Sequence, residues 1–466
     1  MEYLSDIINN KSFESLTNKS DHLLIANAGS GKTVLLLDNF TSWAKDQNKT
    51  ILYLYNRKSM KNQFALSYAK KHSNLTINSY QYLENKYSSK LYDICKLNTD
   101  YLEKFDYILC DECHYFVCDS LFNKNIHISF EVINRSKAIK LYFTATPSPF
   151  IFISNLLSRQ LKTIDLSSFT DKNINSIYIC KNKQFNSLER KFLKNNTIIH
   201  FENNKIKNKE LVKDLNNKGY AAYAISRENI DNISDSILNN NRKISDTKDF
   251  IATTSVCENG VNFNIEGNAL VSFPKFQNWT SLEQSAARVR TLSNNEVSML
   301  YCLPHFNKIT TMLEYNNYDL RRLKLRKEEI IESSDFLHSN ISLDFEIAMI
   351  EYINEELFEI IDYYRKNGKD HLSFFIKKLQ NIYPDAKITI LDKYDAIDAV
   401  MYFDGLMGKS NKLLIDPITI KDIKDRLEIG PKIIKEQIAG VYTIEPKRIT
   451  KNGVKETYWI IERLQK

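Results

Sequence analysis

Short runs of β-branched and aromatic residues alternate with longer amphipathic stretches between about residue 20 and residue 305. Such alternation is typical of α/β proteins, in which helices join parallel strands. The first series of predicted strands covers residues 22–28, 51–55, 76–80, 107–111 and 141–146. The second series covers residues 176–180, 197–202, 221–226, 250–254, 269–273 and 297–303. Two series of strands predict two α/β lobes.

From residue 306 to about residue 406 the pattern becomes helical and strongly charged. Ile347, Ile350, Ile353 and Leu357 recur at three- and four-residue spacing, which places them on one face of a helix. The pattern therefore predicts a helical accessory region after the second lobe.

The last sixty residues show a third pattern. Thr419 is expected to cap a short helix, and Pro431 to open a second one. Two strands are predicted around a turn at Asn452-Gly453. Helix, turn, helix and hairpin in this order predict a winged-helix-like domain. The expected domains are a first lobe at residues 1–165, a second lobe at 166–305, the accessory region at 306–406 and the winged-helix-like domain at 407–466.

The composition is that of a folded, globular protein. Hydrophobic residues make up 43% and charged residues 26% of the 466 residues, which excludes a disordered chain. Seven cysteines, an odd number, favour a reducing compartment over a disulfide framework. Acidic side chains among the first twenty residues and the lack of a long apolar run lead us to expect an intracellular, soluble protein with no membrane partner. The 64 basic and 57 acidic residues give a net charge of +7, which is compatible with a nucleic-acid partner.

The sharpest chemical signal is a phosphate-binding loop after the first predicted strand. It reads Ala-Asn-Ala-Gly-Ser-Gly-Lys-Thr from Ala26 to Thr33, in a chain with only 11 glycines. Glycines let backbone N–H groups curl around an anion, the lysine reaches the β and γ phosphates of ATP, and the threonine hydroxyl binds Mg²⁺. The predicted nucleotide contacts are Ala28, Gly29, Ser30, Gly31, Lys32 and Thr33.

Two adjacent carboxylates end a later apolar strand. Asp111 is expected to hold Mg²⁺ together with Thr33, and Glu112 to orient and deprotonate the attacking water. The neighbouring cysteines and His114 also match the spacing of haem attachment or of a zinc cluster. Both of those interpretations compete with the carboxylate role, so we favour nucleotide hydrolysis.

These segments resemble the motifs of the superfamily 2 helicases and translocases of the DExH type. The match comprises motif I at residues 26–33, motif II at 111–114, motif III at 144–147, motif V at 254–262 and motif VI at 284–290, in the order of the family. The resemblance implies two tandem RecA-like lobes with ATP and Mg²⁺ bound between them. It also implies that Gly260 of motif V is among the nucleotide contacts.

Motif VI departs from the usual spelling. Arg288 keeps the family's spacing from Gln284, whereas Arg290 stands one position earlier than the second arginine of the family. The resemblance implies that these three side chains complete the catalytic site, and it leaves open which arginine is the arginine finger. Trp279, just before the motif, is expected to pack in the core, with stacking on a base as the alternative.

The residues and the resemblance together predict an ATP-dependent helicase or translocase. The motif VI spelling resembles that of herpesvirus-type replication-origin-binding helicases, so we expect DNA to be favoured over RNA, with replication proteins as further partners. Lys432 and Lys435 place positive charge where a winged helix meets DNA. Motifs II and III are spelled more as in hepaciviral helicases, which leaves a viral-type RNA helicase as an alternative. A second alternative is an ATP-gated switch that remodels a nucleoprotein assembly without unwinding.

Overall fold

The computed structural model describes most of the chain in two parallel sheets, a small two-stranded sheet and one antiparallel sheet. The described residues are 10–16, 20–27, 30–56, 70–88, 100–167, 173–181, 185–226, 249–254, 263–291, 295–332, 338–368, 370–391, 406–408, 410–427, 431–439, 441–451 and 454–464, with the single positions 4, 8, 68, 228, 257 and 403.

Six parallel strands form the sheet of the first lobe: β1 (Asp21–Ile25), β2 (Ile51–Tyr55), β3 (Leu75–Ser79), β4 (Tyr107–Cys110), β5 (Ile139–Thr144) and β6 (Leu161–Asp165). Their order across the sheet is β3-β2-β4-β5-β1-β6. Every residue of β2 is buried, as expected of a strand that helices cover on both faces.

The helices of this lobe include a long composite helix that starts at the phosphate-binding loop. They are α1 (Asn10–Leu16), α2 (Lys32–Val34, continuing through the π-helical segment Leu35–Phe40 into Thr41–Asp46), α3 (Tyr80–Ser88), α4 (Asp100–Glu103), α5 (Tyr115–Cys118), α6 (Ile126–Arg135) and α7 (Ser148–Phe152), followed by a 3-10 turn at Ser154–Leu156.

All five predicted strands of the first series are confirmed, with the ends of four of them shifted by one to three residues. The sixth strand, β6, was not predicted. It lies at the edge of the sheet and three of its five residues are exposed, so it lacks the apolar run that marks the central strands.

Seven parallel strands form the sheet of the second lobe: β7 (Ser176–Lys181), β8 (Thr197–Phe201), β9 (Ala222–Ile225), β10 (Phe250–Thr253), β12 (Ala269–Phe273), β14 (Val297–Leu303) and β15 (Lys387–Ile390). Their order is β15-β7-β14-β12-β8-β10-β9, and the short strands β11 (Phe263–Ile265) and β13 (Val289–Thr291) pair separately. The helices α8 (Phe185–Phe192), α9 (Lys205–Asn217) and α10 (Trp279–Ala287) belong to this lobe.

The six predicted strands of the second series are confirmed, and β15 is an addition. The pattern predicts a helical region over the whole interval 306–406, and this is wrong for residues 387–390. They form β15, which pairs with β7 and adds an edge strand to the second sheet. Its four residues are half-buried or exposed, which explains why they give no strand pattern.

Three helices lie between β14 and β15: α11 (Phe306–Glu332), α12 (His338–Lys366) and α13 (Leu372–Ile382). The first two run antiparallel, with Lys324 of α11 paired to Glu351 of α12 at 2.7 Å. Helix α12 then joins the cores of both lobes. Phe345 and Met349 pack in the core of the first lobe, and Leu357 packs in the core of the second.

The C-terminal segment folds around its own core. Its elements are β16 (Lys412–Ile415), α14 (Pro417–Leu427), α15 (Pro431–Ile438), β17 (Tyr442–Lys451) and β18 (Val454–Arg463), with the antiparallel order β16-β18-β17. The two helices and the hairpin strands follow the predicted order, and the predicted turn at Asn452-Gly453 lies outside the described residues. Within the described ranges, no helix combines the length and apolarity needed to cross a membrane.

The cap of α14 differs from the prediction. The side chain that caps the first turn of the helix is Asp416, not Thr419. Its Oδ1 accepts hydrogen bonds from the backbone N–H groups of Ile418 and Thr419, both at 2.9 Å. The Thr419 hydroxyl donates to Asp416 Oδ2 at 2.6 Å. Pro417 at the first helical position has no N–H to satisfy, so the helix begins three residues earlier than the threonine had suggested.

Candidate active site between the two lobes

The phosphate-binding loop turns sharply into helix α2. Gly31 has φ of 86°, in the left-handed region where a glycine avoids the strain that a side chain would meet. Lys32 is only 8% exposed and folds back over the loop, where its Nζ donates to the carbonyl oxygens of Ala26 (2.8 Å) and Asn27 (3.0 Å). The described part of the loop therefore gathers a lysine ammonium and a helix N-terminus at one point, as phosphate binding requires.

The adjacent carboxylates of motif II lie directly after β4. Asp111 Oδ1 accepts a hydrogen bond from the backbone N–H of Glu112 at 3.1 Å, and Oδ2 accepts one from the phenol of Tyr53 at 2.5 Å. Tyr80 donates to the backbone carbonyl of Asp111 at 2.9 Å. Glu112 has φ of 50°, a conformation in which the chain turns and aims this side chain away from the strand.

The electrostatics of the two carboxyl groups differ. Burial, together with the charge of Glu112, raises the pKa of Asp111 to about 6, against the stabilising effects of Tyr53 and Lys32. Burial also opposes ionisation of Glu112, but Lys32, His114 and Arg288 outweigh it and hold the pKa of Glu112 below its ordinary value. Glu112 is thus the more readily ionised of the pair, as a proton acceptor must be.

Residues of the second lobe reach these groups across the cleft. Arg288, which follows α10, donates from its guanidinium to Glu112 Oε1 at 3.3 Å. Gln284 donates from its side-chain amide to the hydroxyl of Thr146 at 2.8 Å. Arg290 lies on β13, and the charges of Arg288 and Arg290 both oppose protonation of Lys32, whose pKa is lowered chiefly by burial. Both arginines of motif VI therefore act on the phosphate-binding loop.

A chain of polar contacts connects motif II to motif III. His114 Nδ1 is 3.6 Å from Glu112 Oε2 and 3.0 Å from the hydroxyl of Thr144. The Thr144 hydroxyl accepts from the backbone N–H of Thr146 at 3.0 Å. Since the Thr146 hydroxyl also accepts a hydrogen bond from Gln284, hydrogen bonds link His114 to the second lobe, and Glu112 lies beside His114.

A cleft opens beside this contact chain. Both lobes and the segment between them line it: Asn27, Ala145, Thr146, Asn173, Glu283, Gln284, Ala287 and Tyr383. The cleft therefore borders the phosphate-binding loop on one side and the motif VI helix α10 on the other.

The structure brings most of the predicted site residues together and leaves some undescribed. The residues gathered at the cleft are Ser30, Gly31, Lys32, Thr33, Asp111, Glu112, Gln284, Arg288 and Arg290. Three predicted nucleotide contacts, Ala28, Gly29 and Gly260, lie outside the described residues. Trp279 is 5% exposed and packs against Phe375, so it belongs to the core and not to a base-stacking surface.

Sequence reasoning missed the contacts that Tyr53 and Tyr80 make with Asp111, from strand β2 and from the first residue of helix α3 respectively. Tyr53 lies inside a predicted strand and Tyr80 at the end of one, so the pattern predicted no contact with Asp111 for either residue. The only signal was chemical: a buried tyrosine hydroxyl usually finds a hydrogen-bond partner.

The donor set suits Mg²⁺. A threonine hydroxyl and a carboxylate are oxygen ligands, which Mg²⁺ prefers, and this ion usually takes only one or two ligands from the protein alongside phosphates and water. Among the described residues, the hydroxyl of Ser30 and Oε2 of Glu112 are buried without a hydrogen-bond partner. Buried polar atoms of this kind are what a bound nucleotide and its metal would satisfy. No cluster of three or more metal-ligating side chains occurs within the described ranges.

Comparison with known proteins identifies a related family over the first lobe. Residues 1–149 match the family of the type III restriction enzyme res subunit, a range that contains motifs I, II and III. None of the curated proteins matches the sequence.

Several solved helicase structures match this chain at low identity and with TM-scores below 0.5. S. cerevisiae Dbp5 bound to RNA and ADP BeF3 is 11% identical with a TM-score of 0.47, covering 84% of this chain and 91% of Dbp5. The DUF1998 helicase MrfA bound to DNA is 15% identical with a TM-score of 0.45, covering 66% of this chain and 47% of MrfA. The Pyrococcus furiosus Hef helicase domain is 13% identical with a TM-score of 0.37, covering 66% and 97%.

Proposed function

We propose that the chain is a superfamily 2 helicase, a nucleic-acid-dependent ATPase that hydrolyses ATP between its lobes and uses the cycle to move along or unwind DNA. The match of residues 1–149 to the family of the type III restriction enzyme res subunit supports this proposal. The observation that carries this proposal is the contact between Arg288 and Glu112. Through this contact Arg288 of the second lobe reaches Glu112 of the first lobe, the residue best placed to accept a proton. Hydrolysis and lobe movement are coupled through that contact.

Each residue of the site has a distinct role in this proposal. The loop backbone and Lys32 bind the β and γ phosphates, with Ala28, Gly29, Ser30 and Gly31 in the loop and Gly260 in motif V. Thr33 and Asp111 hold Mg²⁺, which neutralises charge on the phosphates when it is bound. Glu112 takes the proton from the attacking water.

Arg288 acts as a sensor of the γ-phosphate. Its guanidinium donates to Glu112 Oε1 at 3.3 Å. A γ-phosphate offers more negative charge and several acceptor oxygens, so Arg288 exchanges the carboxylate for the phosphate. The exchange releases Glu112 Oε1 for the water, while Gln284 and Arg290 complete the second-lobe side of the site.

The C-terminal segment supplies the proposed preference for DNA. Lys432 and Lys435 are exposed on α15, and Lys447 and Arg448 are exposed on β17 of the hairpin. In a winged helix the second helix enters the major groove and the hairpin contacts the adjacent backbone. Exposed cations on both elements suit phosphate contacts, and a replication or origin-binding role follows if this domain selects the site.

Steady-state ATPase rates with single- and double-stranded DNA and RNA, measured across a salt series, test the proposal. We expect Mg²⁺-dependent hydrolysis that DNA stimulates more than RNA, and a stimulation that falls as salt rises. Strand displacement on a forked DNA should accompany it. Absence of ATP hydrolysis under all these conditions would contradict the proposed function, and stimulation by RNA alone would favour the RNA helicase.

One observation favours a second candidate, an ATP-gated switch that does not unwind. Helix α12 packs in the cores of both lobes, through Met349 on one side and Leu357 on the other. A rigid helix shared by both lobes limits their separation to small movements. Stimulated ATPase without strand displacement would support this switch.

A further inference from the structure

Tyr53 occupies an unusual place for a phenol, in the middle of a fully buried strand. It is 1% exposed on β2, next to β4, which ends just before the motif II carboxylates. Its hydroxyl donates to Asp111 Oδ2 at 2.5 Å. The sequence motifs of the site do not predict a tyrosine at this position.

The phenol lies between the two proposed Mg²⁺ ligands. Burial and the Asp111 carboxylate raise the pKa of Tyr53 well above its ordinary value, while a hydrogen bond with Thr33 works in the opposite direction. The Tyr53 hydroxyl therefore contacts both Asp111 and Thr33. Tyr53 thus connects Thr33 of motif I with Asp111 of motif II.

The hydrogen bond from Tyr53 also helps to fix the orientation of the Asp111 carboxylate. One carboxylate oxygen accepts the backbone N–H of Glu112 at 3.1 Å, and the other accepts the phenol. With both oxygens held, the plane of the carboxylate is fixed before any ligand arrives. Partners of this kind behind a metal ligand set its orientation and tune its affinity for the ion.

We propose that Tyr53 is a positioning residue that fixes Asp111 and Thr33 in the geometry needed to receive Mg²⁺ with the nucleotide. This inference rests on the proposed ATPase function. Tyr53 acts through its two neighbours and makes no contact with substrate. Its loss should weaken capture of the metal more than capture of the nucleotide itself.

The test compares Tyr53→Phe with wild type and with Tyr55→Phe. The first change removes one oxygen and keeps the ring in place. The control removes a hydroxyl from the buried residue on the same face of the same strand, two positions further on. Binding of a fluorescent ADP is measured without Mg²⁺ and then at increasing Mg²⁺, and ATP hydrolysis is measured over the same Mg²⁺ range.

We expect Tyr53→Phe to raise the Mg²⁺ concentration for half-maximal effect by about tenfold in both measurements. Its affinity for ADP without Mg²⁺ should stay within about twofold of wild type, and its hydrolysis rate should recover at saturating Mg²⁺. A purely structural role would instead lower metal-free binding and maximal rate together, with no recovery. Tyr55→Phe should behave as wild type.

The possible failures are separable. If wild type binds and hydrolyses nucleotide with Mg²⁺ and Tyr53→Phe shows the same Mg²⁺ dependence, the inference about Tyr53 is wrong and the proposed function stands. If Tyr53→Phe loses metal-free binding in parallel, the residue is structural and the inference is also wrong. If wild type itself neither binds nor hydrolyses nucleotide, the proposed function falls and takes the inference with it.

Discussion

The guanidinium of Arg288 in the second lobe lies 3.3 Å from the carboxylate of Glu112 in the first, and the two side chains are only 12% and 15% exposed. An ion pair this far from water adds little net stability, because desolvation of both groups offsets their attraction. We therefore interpret the pair as an exchangeable contact of the active site and not as a clamp that holds the lobes together.

Glu112→Gln should lower the ATPase rate by about 10² to 10⁴-fold, because the amide cannot accept the proton of the attacking water. Binding of ATP and Mg²⁺ should persist, since Lys32, Thr33 and Asp111 remain. Lys32→Ala should instead lose both binding and hydrolysis. Nucleotide affinity and single-turnover rates distinguish the two variants. Near-normal turnover by Glu112→Gln, with the exposed Glu103→Gln as control, would rule out Glu112 as the base.

Alanine substitution of Arg288 and Arg290 should show which residue stabilises the transferring phosphate. An arginine finger is worth about 10³ to 10⁵ in rate, whereas loss of an exposed arginine such as Arg321 should change it less than about tenfold. We expect the larger loss for Arg288, which reaches Glu112 directly. The comparison uses the maximal DNA-stimulated ATPase rate of each variant. Rates within about tenfold of wild type for both would mean that the second lobe does not complete the site.

Charge reversal on the second C-terminal helix should weaken DNA binding in the full-length protein. Lys432→Glu with Lys435→Glu should lower duplex affinity and reduce the steepness of its salt dependence by about 0.9 for each phosphate that the protein no longer neutralises. ATPase without nucleic acid should be unchanged. Lys421→Glu, on the exposed face of the preceding helix, is the matched control. Equal affinity of the double variant and the control would assign this domain to protein contacts.

A buried histidine should make stability fall as pH rises. Burial opposes protonation of His200, but Glu189, 2.7 Å away, and Glu202 raise its pKa to about 9. The folded pKa exceeds the unfolded value of about 6.5, so the stabilisation is complete below that pH and is lost as pH climbs through 9. The expected loss is about 3 kcal/mol. Denaturant unfolding at several pH values measures it.

The control for this prediction is a histidine on the surface. His200→Gln should flatten the fall in unfolding free energy between about pH 6.5 and about pH 9, whereas Gln in place of the exposed His305 should leave it unchanged. An unchanged pH profile in His200→Gln would show that another group is responsible.

Glu356 on α12 should be a site where removal of charge stabilises the protein. Burial raises its pKa to about 7, although Tyr352 and the backbone N–H of Trp279 both stabilise the charged form. Because the folded pKa lies above the unfolded one, wild type loses stability as pH rises through 7. Glu356→Gln keeps an acceptor for Trp279 and should gain up to about 3 kcal/mol at about pH 8, with no gain at about pH 4. No gain from Glu356→Gln at the higher pH, compared with the exposed Glu355→Gln, would contradict the assignment.

By itself the sequence determined the features that depend on neighbours along the chain. The eleven predicted strands and the turn from β1 into α2 follow from short runs of apolar residues and from the conformational freedom of glycine, both of which are local. The roles expected of Lys32, Asp111 and Glu112 follow from residue chemistry at the ends of strands, since the carboxyl ends of parallel strands share one edge of a sheet. The edge strands β6 and β15 were missed because an exposed edge needs no apolar run.

Only the tertiary structure decided which distant groups meet. The spacing of Ile347, Ile350 and Leu357 predicts a helix with an apolar face, but it does not specify which element that face packs against. In the fold Ile347 and Ile350 pack against α11, whereas Leu357 packs in the second lobe. In the same way, Tyr53 meets Asp111 and Arg288 meets Glu112 only because sheet order and lobe packing bring together residues that lie 58 and 176 positions apart. Hydrophobic burial has no direction, so the sequence pattern specifies that a surface is covered and the packing of the whole chain specifies by what.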